Sequence, residues 1–78
     1  MVEVTIYGTK SCPWCNVAKE FMIKNKVKFE YIDVGADREK AMEMIKKSGQ
    51  MGVPVIDIGG EIIVGFNQPA IKRALNME

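Results

Sequence analysis

Strand periodicity gives way to helical periodicity within the first fifteen residues of this chain, and its only two cysteines stand at the change. Val2, Val4 and Ile6 alternate with Glu3, Thr5 and Tyr7, the period of a strand. After a Gly8 to Ser11 loop, Trp14, Val17, Ala18, Phe21 and Met22 recur at helical spacing between Pro13 and about Lys26. Val27 to Val34 is rich in β-branched and aromatic residues, which predicts a second strand broken by Gly35-Ala36. Strand, helix and strand in this order demand a parallel pair with a right-handed crossover.

The second half changes style. A helix is predicted from an Asp37 N-cap to Lys46-Lys47-Ser48-Gly49, where cations and a glycine both suit a helix end. Met42 and Met44 on it read as core and rim packing. Pro54 to Ile58 and Glu61 to Val64 are apolar strands separated by Gly59-Gly60, a two-residue hairpin signal, so they should pair antiparallel. Asn67 then caps a short last helix, with Pro69 in its first turn and Ile71, Ala74 and Leu75 on its inner face. The expected architecture is α/β: βαβ followed by ββα, a four-stranded mixed sheet with three helices on its two faces.

Seventy-eight residues make one expected domain, spanning 1–78, with one modest core. Net charge is +1 and the basic residues are interleaved with acidic ones, which argues against nucleic-acid and membrane partners. No apolar run approaches the roughly 20 residues of a membrane span, and strand-like alternation from Val2 takes the place of a signal-peptide pattern. A cytoplasmic, monomeric protein is the expectation. Histidine is absent, which removes the usual general base and disfavours protease and metallohydrolase chemistry.

Cys12-Pro13-Trp14-Cys15 carries the chemistry. With Pro13 opening a helix, Cys12 and Cys15 lie one turn apart, with Cα atoms about 5 to 6 Å apart, inside the range a disulfide can bridge. An attacking sulfur must be a thiolate. Cys12 falls at the helix N-terminus, where unpaired N–H groups and the macrodipole favour an anion and Lys10 adds a cation nearby, so Cys12 is the expected nucleophile. Cys15 shares a helix flank with Ala18 and Met22, so it should be buried and fits a resolving role. Pro13 costs no helical hydrogen bond and stiffens the loop. A structural disulfide would close only a tiny loop, and a zinc site needs about four Cys or His ligands where this chain has two. Redox use of the pair is the reading that remains favoured.

Cys12-Pro13-Trp14-Cys15, Gly52-Val53-Pro54 and Gly65-Phe66 together resemble the thioredoxin superfamily in its smallest form, the glutaredoxins and the related NrdH-type redoxins, over essentially the whole chain. The resemblance implies a minimal thioredoxin fold and thiol-disulfide oxidoreductase activity in electron transport and cell redox homeostasis. It implies a cis bond before Pro54 beside the dithiol, with the Val53 backbone pairing an extended substrate. Trp14 takes the aromatic position that flanks glutathione in glutaredoxins, although packing on the first helix explains it nearly as well. Lys10, Trp14, Val53, Pro54, Gly65, Phe66 and Asn67 are thus the candidate substrate- or glutathione-binding residues.

Two departures bear on the electron source. Glutaredoxins commonly place a cation three residues before the first cysteine, where this chain has Thr9 with Lys10 after it. They often carry acidic residues after the glycine at the last helix, where Phe66, Asn67 and Gln68 stand here. Gly-Phe is more similar to NrdH-type redoxins, which supply ribonucleotide reductase and are recharged by thioredoxin reductase. The resemblance implies disulfide-containing protein substrates, no tightly bound cofactor, and glutathione or thioredoxin reductase as the source of electrons. A rival of another class is an iron-sulfur scaffold in which Cys12 and glutathione ligate a cluster across a dimer. Pro13 after the cysteine disfavours it, since the main cluster-carrying group has glycine there.

Overall fold

The computed structural model describes residues 3–76. The chain runs β1 (Val4–Gly8), α1 (Pro13–Lys24), β2 (Glu30–Asp33), α2 (Arg38–Ser48), β3 (Val55–Ile58), β4 (Glu61–Val64) and α3 (Gln68–Ala74). Val2, expected to open the first strand, lies outside the described residues. The strands form one sheet in the order β2-β1-β3-β4, parallel between β1 and β2 and antiparallel at the other two junctions. The βαβ and ββα halves, the order that the sequence predicts, join through an antiparallel pairing of β1 with β3.

β1 is covered on both faces, which is why Val4, Ile6, Tyr7 and Gly8 are all buried along it. Ile6, Ile56, Ile58 and Ile63 meet Ala18 and Met22 of α1 and Ile71 of α3 on one face. On the other, Tyr7 and Val55 meet Met44 of α2, with Ile32, Val34, Ile45, Val53 and Ile62 around them. Met42 is exposed beyond this core. Packing alone does not hold α2. The Tyr7 hydroxyl donates to Glu43 at 2.6 Å, and Lys47 Nζ donates both to the Tyr7 oxygen and to Asp57 of β3, each at 2.9 Å. Burial and the Glu43 carboxylate raise the Tyr7 pKa, while the Tyr7 and Asp57 oxygens raise that of Lys47, so both stay protonated at neutral pH.

Local signals hold at most boundaries. Asp37 Oδ1 accepts the Lys40 N–H at 3.2 Å and Gly49 closes α2 in the left-handed region at φ 75°. Gly59 and Gly60 both have positive φ, as a tight hairpin with the right-handed twist of its strands requires. Asn67 caps α3, its side chain accepting the Ala70 N–H.

The predicted second strand is shorter than expected, and the first helix ends two residues early. Lys26 adopts φ 57°, its N–H bonds to Ile23 O, and the Val27 N–H reaches back to Met22 O at 2.9 Å. That pair of bonds is the Schellman closure of a helix, which normally uses glycine at the left-handed position. Val27 and Phe29 consequently pack on the core from a loop, and pairing starts only at Glu30.

A lysine in that conformation is strained by about 1 kcal/mol. Lys26→Gly relieves it at the expense of a more disordered unfolded chain, and denaturant unfolding should show a net gain of roughly 0.5 kcal/mol or more.

Candidate functional site

β1 ends at Gly8, and residues 9–11 lead directly into Cys12, the N-cap of α1. Cys12 is extended, with φ −91° and ψ 113°, so its side chain turns back over the first turn and its sulfur accepts the Cys15 N–H at 3.3 Å. Pro13 follows at the first helical position, where no N–H is needed. The same sulfur lies 4.0 Å from the Val53 carbonyl oxygen, and the Val53-Pro54 bond is cis. Both cysteines are free thiols, Cys12 partly exposed and Cys15 fully buried.

The two sulfurs thus differ in surroundings. Cys12 faces a backbone donor and the surface. Cys15 is enclosed with Ala18 and Met22, the flank that the helical spacing predicts. Burial, with Cys12 beside it, pushes the Cys15 thiol up to about 11, although the Thr9 backbone and the Tyr31 hydroxyl pull in the opposite direction.

Trp14, Val53, Pro54, Gly65 and Phe66 line one open depression of about 220 Å³ next to Cys12. Gly65 takes φ 78°, and its N–H bonds to Pro54 O at 2.8 Å, tying the end of β4 to the cis-proline turn. Trp14, 60% exposed, stacks on Phe66 with ring centroids 6.2 Å apart, and Phe66 meets Phe21 edge-on at 5.7 Å. The packing and surface roles of Trp14 are therefore compatible, since one face of the indole packs and the rest is open. Lys10 and Asn67 are not part of this wall. Lys10 is exposed on the loop before Cys12, and the Asn67 side-chain oxygen is engaged with the Ala70 N–H at 3.3 Å.

Three residues escaped the sequence reading. Val4, Ile6 and Gly8 share one face of β1, the face toward α1, and Tyr31 is registered opposite Ile6. A Cβ on Gly8 would fall 2.5 Å from the Tyr31 hydroxyl and 2.8 Å from the Cys15 sulfur. The Tyr31 hydroxyl donates to the Thr9 carbonyl at 2.9 Å. Gly8, Thr9 and Tyr31 thus close the floor beneath Cys15. Strand parity along β1 is the signal that could have found Gly8, whereas Tyr31 requires the β1–β2 register. Among the described residues, no three or more His, Cys, Asp or Glu gather so as to hold a metal ion. The cluster reading would need ligands from outside the chain.

The glutaredoxin family model matches residues 4–63. An uncharacterized glutaredoxin-like 8.6 kDa protein in the rubredoxin operon of Clostridium pasteurianum is 42% identical over 72 residues, 92% of this chain and 96% of that one. Among solved structures, a glutaredoxin from Archaeoglobus fulgidus superposes with a TM-score of 0.87 at 29% identity, over 96% of this chain and 87% of its own. NrdH-redoxin from Escherichia coli gives a TM-score of 0.79 at 31% identity, over 91% and 92%.

Two measurements check the site. Gly8→Ala forces Tyr31 or Cys15 aside, with an expected loss of about 1–3 kcal/mol in unfolding free energy. Iodoacetamide should modify Cys12 and spare Cys15 at pH 7 to 9. Because the folded pKa of Cys15 is raised, any stability it contributes is complete below the unfolded value, roughly 8.5, and is lost as pH rises toward 11. Titrated melts should show that loss in the wild type and not in Cys15→Ala.

Proposed function

Because the chain belongs to the glutaredoxin family, we propose that it is a dithiol thiol-disulfide oxidoreductase reducing protein or glutathione mixed disulfides through Cys12 and Cys15. The observation that carries this reading is the asymmetry of the pair: one sulfur at the surface with an N–H directed at it, the other 0% exposed one helical turn away.

Cys12, as thiolate, attacks one sulfur of a substrate disulfide. A Cys12–substrate bond forms, the substrate S–S bond breaks, and its electron pair leaves on the departing thiolate, which takes a proton from water. The Cys15 N–H stabilises negative charge on Cys12 before attack. Cys15 then loses its proton to water and attacks Cys12. The internal disulfide forms and the second substrate thiolate departs, so the dithiol has given up two electrons. Trp14, Phe66 and Gly65 supply the wall along which the substrate lies, and the Val53 backbone beside the cis-proline pairs with it in extended form. Lys10 contributes positive charge on the loop before Cys12. No tightly bound cofactor enters these steps.

Either glutathione or thioredoxin reductase resets the pair. A NrdH-type role, as electron donor to ribonucleotide reductase, is favoured by one specific arrangement: Phe66 fills the position after Gly65 and stacks on Trp14, and no carboxylate follows it through Gln68. Asn67 has its oxygen committed to the α3 cap, which weakens its claim on a glutathione amine. No helix among the described residues is long and apolar enough to cross a membrane, and the proposed setting is a cytoplasmic monomer.

Cys12→Ser should abolish reduction of a model disulfide, at least 100-fold, whereas Cys15→Ser should trap a mixed disulfide or keep only glutathione-dependent activity. NADPH consumption coupled to glutathione with its reductase, against thioredoxin reductase alone, identifies the donor. Full activity in Cys12→Ser refutes the assignment.

A further inference from the structure

We propose that Tyr31 is a positioning residue for the second half of the reaction, its hydroxyl supplying the hydrogen bond that the buried Cys15 sulfur needs as it becomes an anion. The inference rests on the dithiol reading above and adds a residue to it.

The geometry comes from three elements. Gly8 on β1 leaves a space too small for a methyl group, and the Tyr31 oxygen and the Cys15 sulfur both border it. Tyr31 reaches that space from β2, in register with Ile6, and its ring lies under Lys19 Nζ at 5.8 Å from the centroid. The third element is the loop: Tyr31 O–H donates to Thr9 O at 2.9 Å in the dithiol state. A phenol carries one donor and two acceptor sites, and its hydrogen rotates about the C–O bond. With that hydrogen on Thr9, a lone pair can receive the Cys15 S–H. With the hydrogen turned toward Cys15, it can bond to a thiolate. Rotation of one hydroxyl therefore offers Cys15 an acceptor or a donor, as its protonation state requires.

The charged and titratable groups around this contact are few. Cys12 caps the same helix, Asp33 stands two residues along β2, and Lys19 covers the outer face of the ring. β1 contributes Gly8, which has no side chain. Burial, with Cys15, Cys12 and Asp33 nearby, pushes Tyr31 up to about 12, so it keeps its proton wherever the reaction is assayed. It acts as a hydrogen-bond donor and not as a base. In the step concerned, the Cys15 proton passes to water, the Cys15 electron pair forms the bond to Cys12, the Cys12–substrate bond breaks, and its pair leaves on the substrate thiolate, which water reprotonates. Without the Tyr31 donor, the buried sulfur would have only the Thr9 backbone to hold its anion.

A chromogenic aromatic disulfide, mixed with the reduced protein in a stopped-flow instrument, releases one coloured thiol when Cys12 attacks and a second when Cys15 resolves the adduct. Tyr31→Phe should leave the first phase unchanged, slow the second about ten-fold, and move the pH profile of the second upward by about one unit. A tyrosine analogue fluorinated on the ring, placed at position 31, is a stronger donor of similar shape and should make the second phase faster. An unchanged second phase in both proteins, or an equal slowing of both phases in Tyr31→Phe, overturns the proposal. Failure of the dithiol reading would look different: the wild type would show no second phase, or Cys12→Ser would keep the first.

Discussion

The dithiol depends on one close approach, the contact of the Gly8 backbone with Cys15 and Tyr31. Any side chain at Gly8 would occupy the space those two atoms share. Because the last residue of a central strand can be approached this closely, α1 packs its first turn directly on the sheet. Cys15 is then sealed while Cys12, one turn earlier, remains at the rim. The difference between the two sulfurs follows from packing before any charge is considered.

Electrostatics then widens that difference. The helix start directs the Cys15 N–H at Cys12, whereas the apolar flank of Cys15, Ala18 and Met22 opposes ionisation of the second thiol. A pair of equal cysteines would have no assigned order of reaction. Here the backbone that holds the pair also gives its members different surroundings. The opposite face of the sheet is organised differently, with Tyr7, Glu43, Lys47 and Asp57 fastening α2 through polar bonds. Ile6 and Tyr7 are neighbours on β1 that serve these two faces separately.

Much of this was legible in the sequence because the governing rules are short-range. Asp37, Gly49 and Asn67 act as caps, Gly59-Gly60 as a hairpin, and the Cys15, Ala18, Met22 flank as core, each decided within about four residues along the chain. β2 starts later than the side chains of Val27 and Phe29 suggest, because the left-handed Lys26 turn decides where they go. Tyr31 was invisible as a site residue for another reason. Its importance depends on which residue of β1 it faces, and register between strands is a property of the assembled sheet. The depression was half legible: the resemblance named its five lining residues, but it also named Lys10 and Asn67, which are not among them.

Trp14 is the only tryptophan in the chain, and it stands between the two cysteines with most of its indole open to solvent. An indole in that place senses the polarity and the quenching groups around it. A change in the redox state of the pair, or the arrival of a second molecule against the aromatic wall, alters that surrounding. The protein therefore carries an intrinsic fluorophore beside its cysteine pair, and no label is needed to follow that neighbourhood.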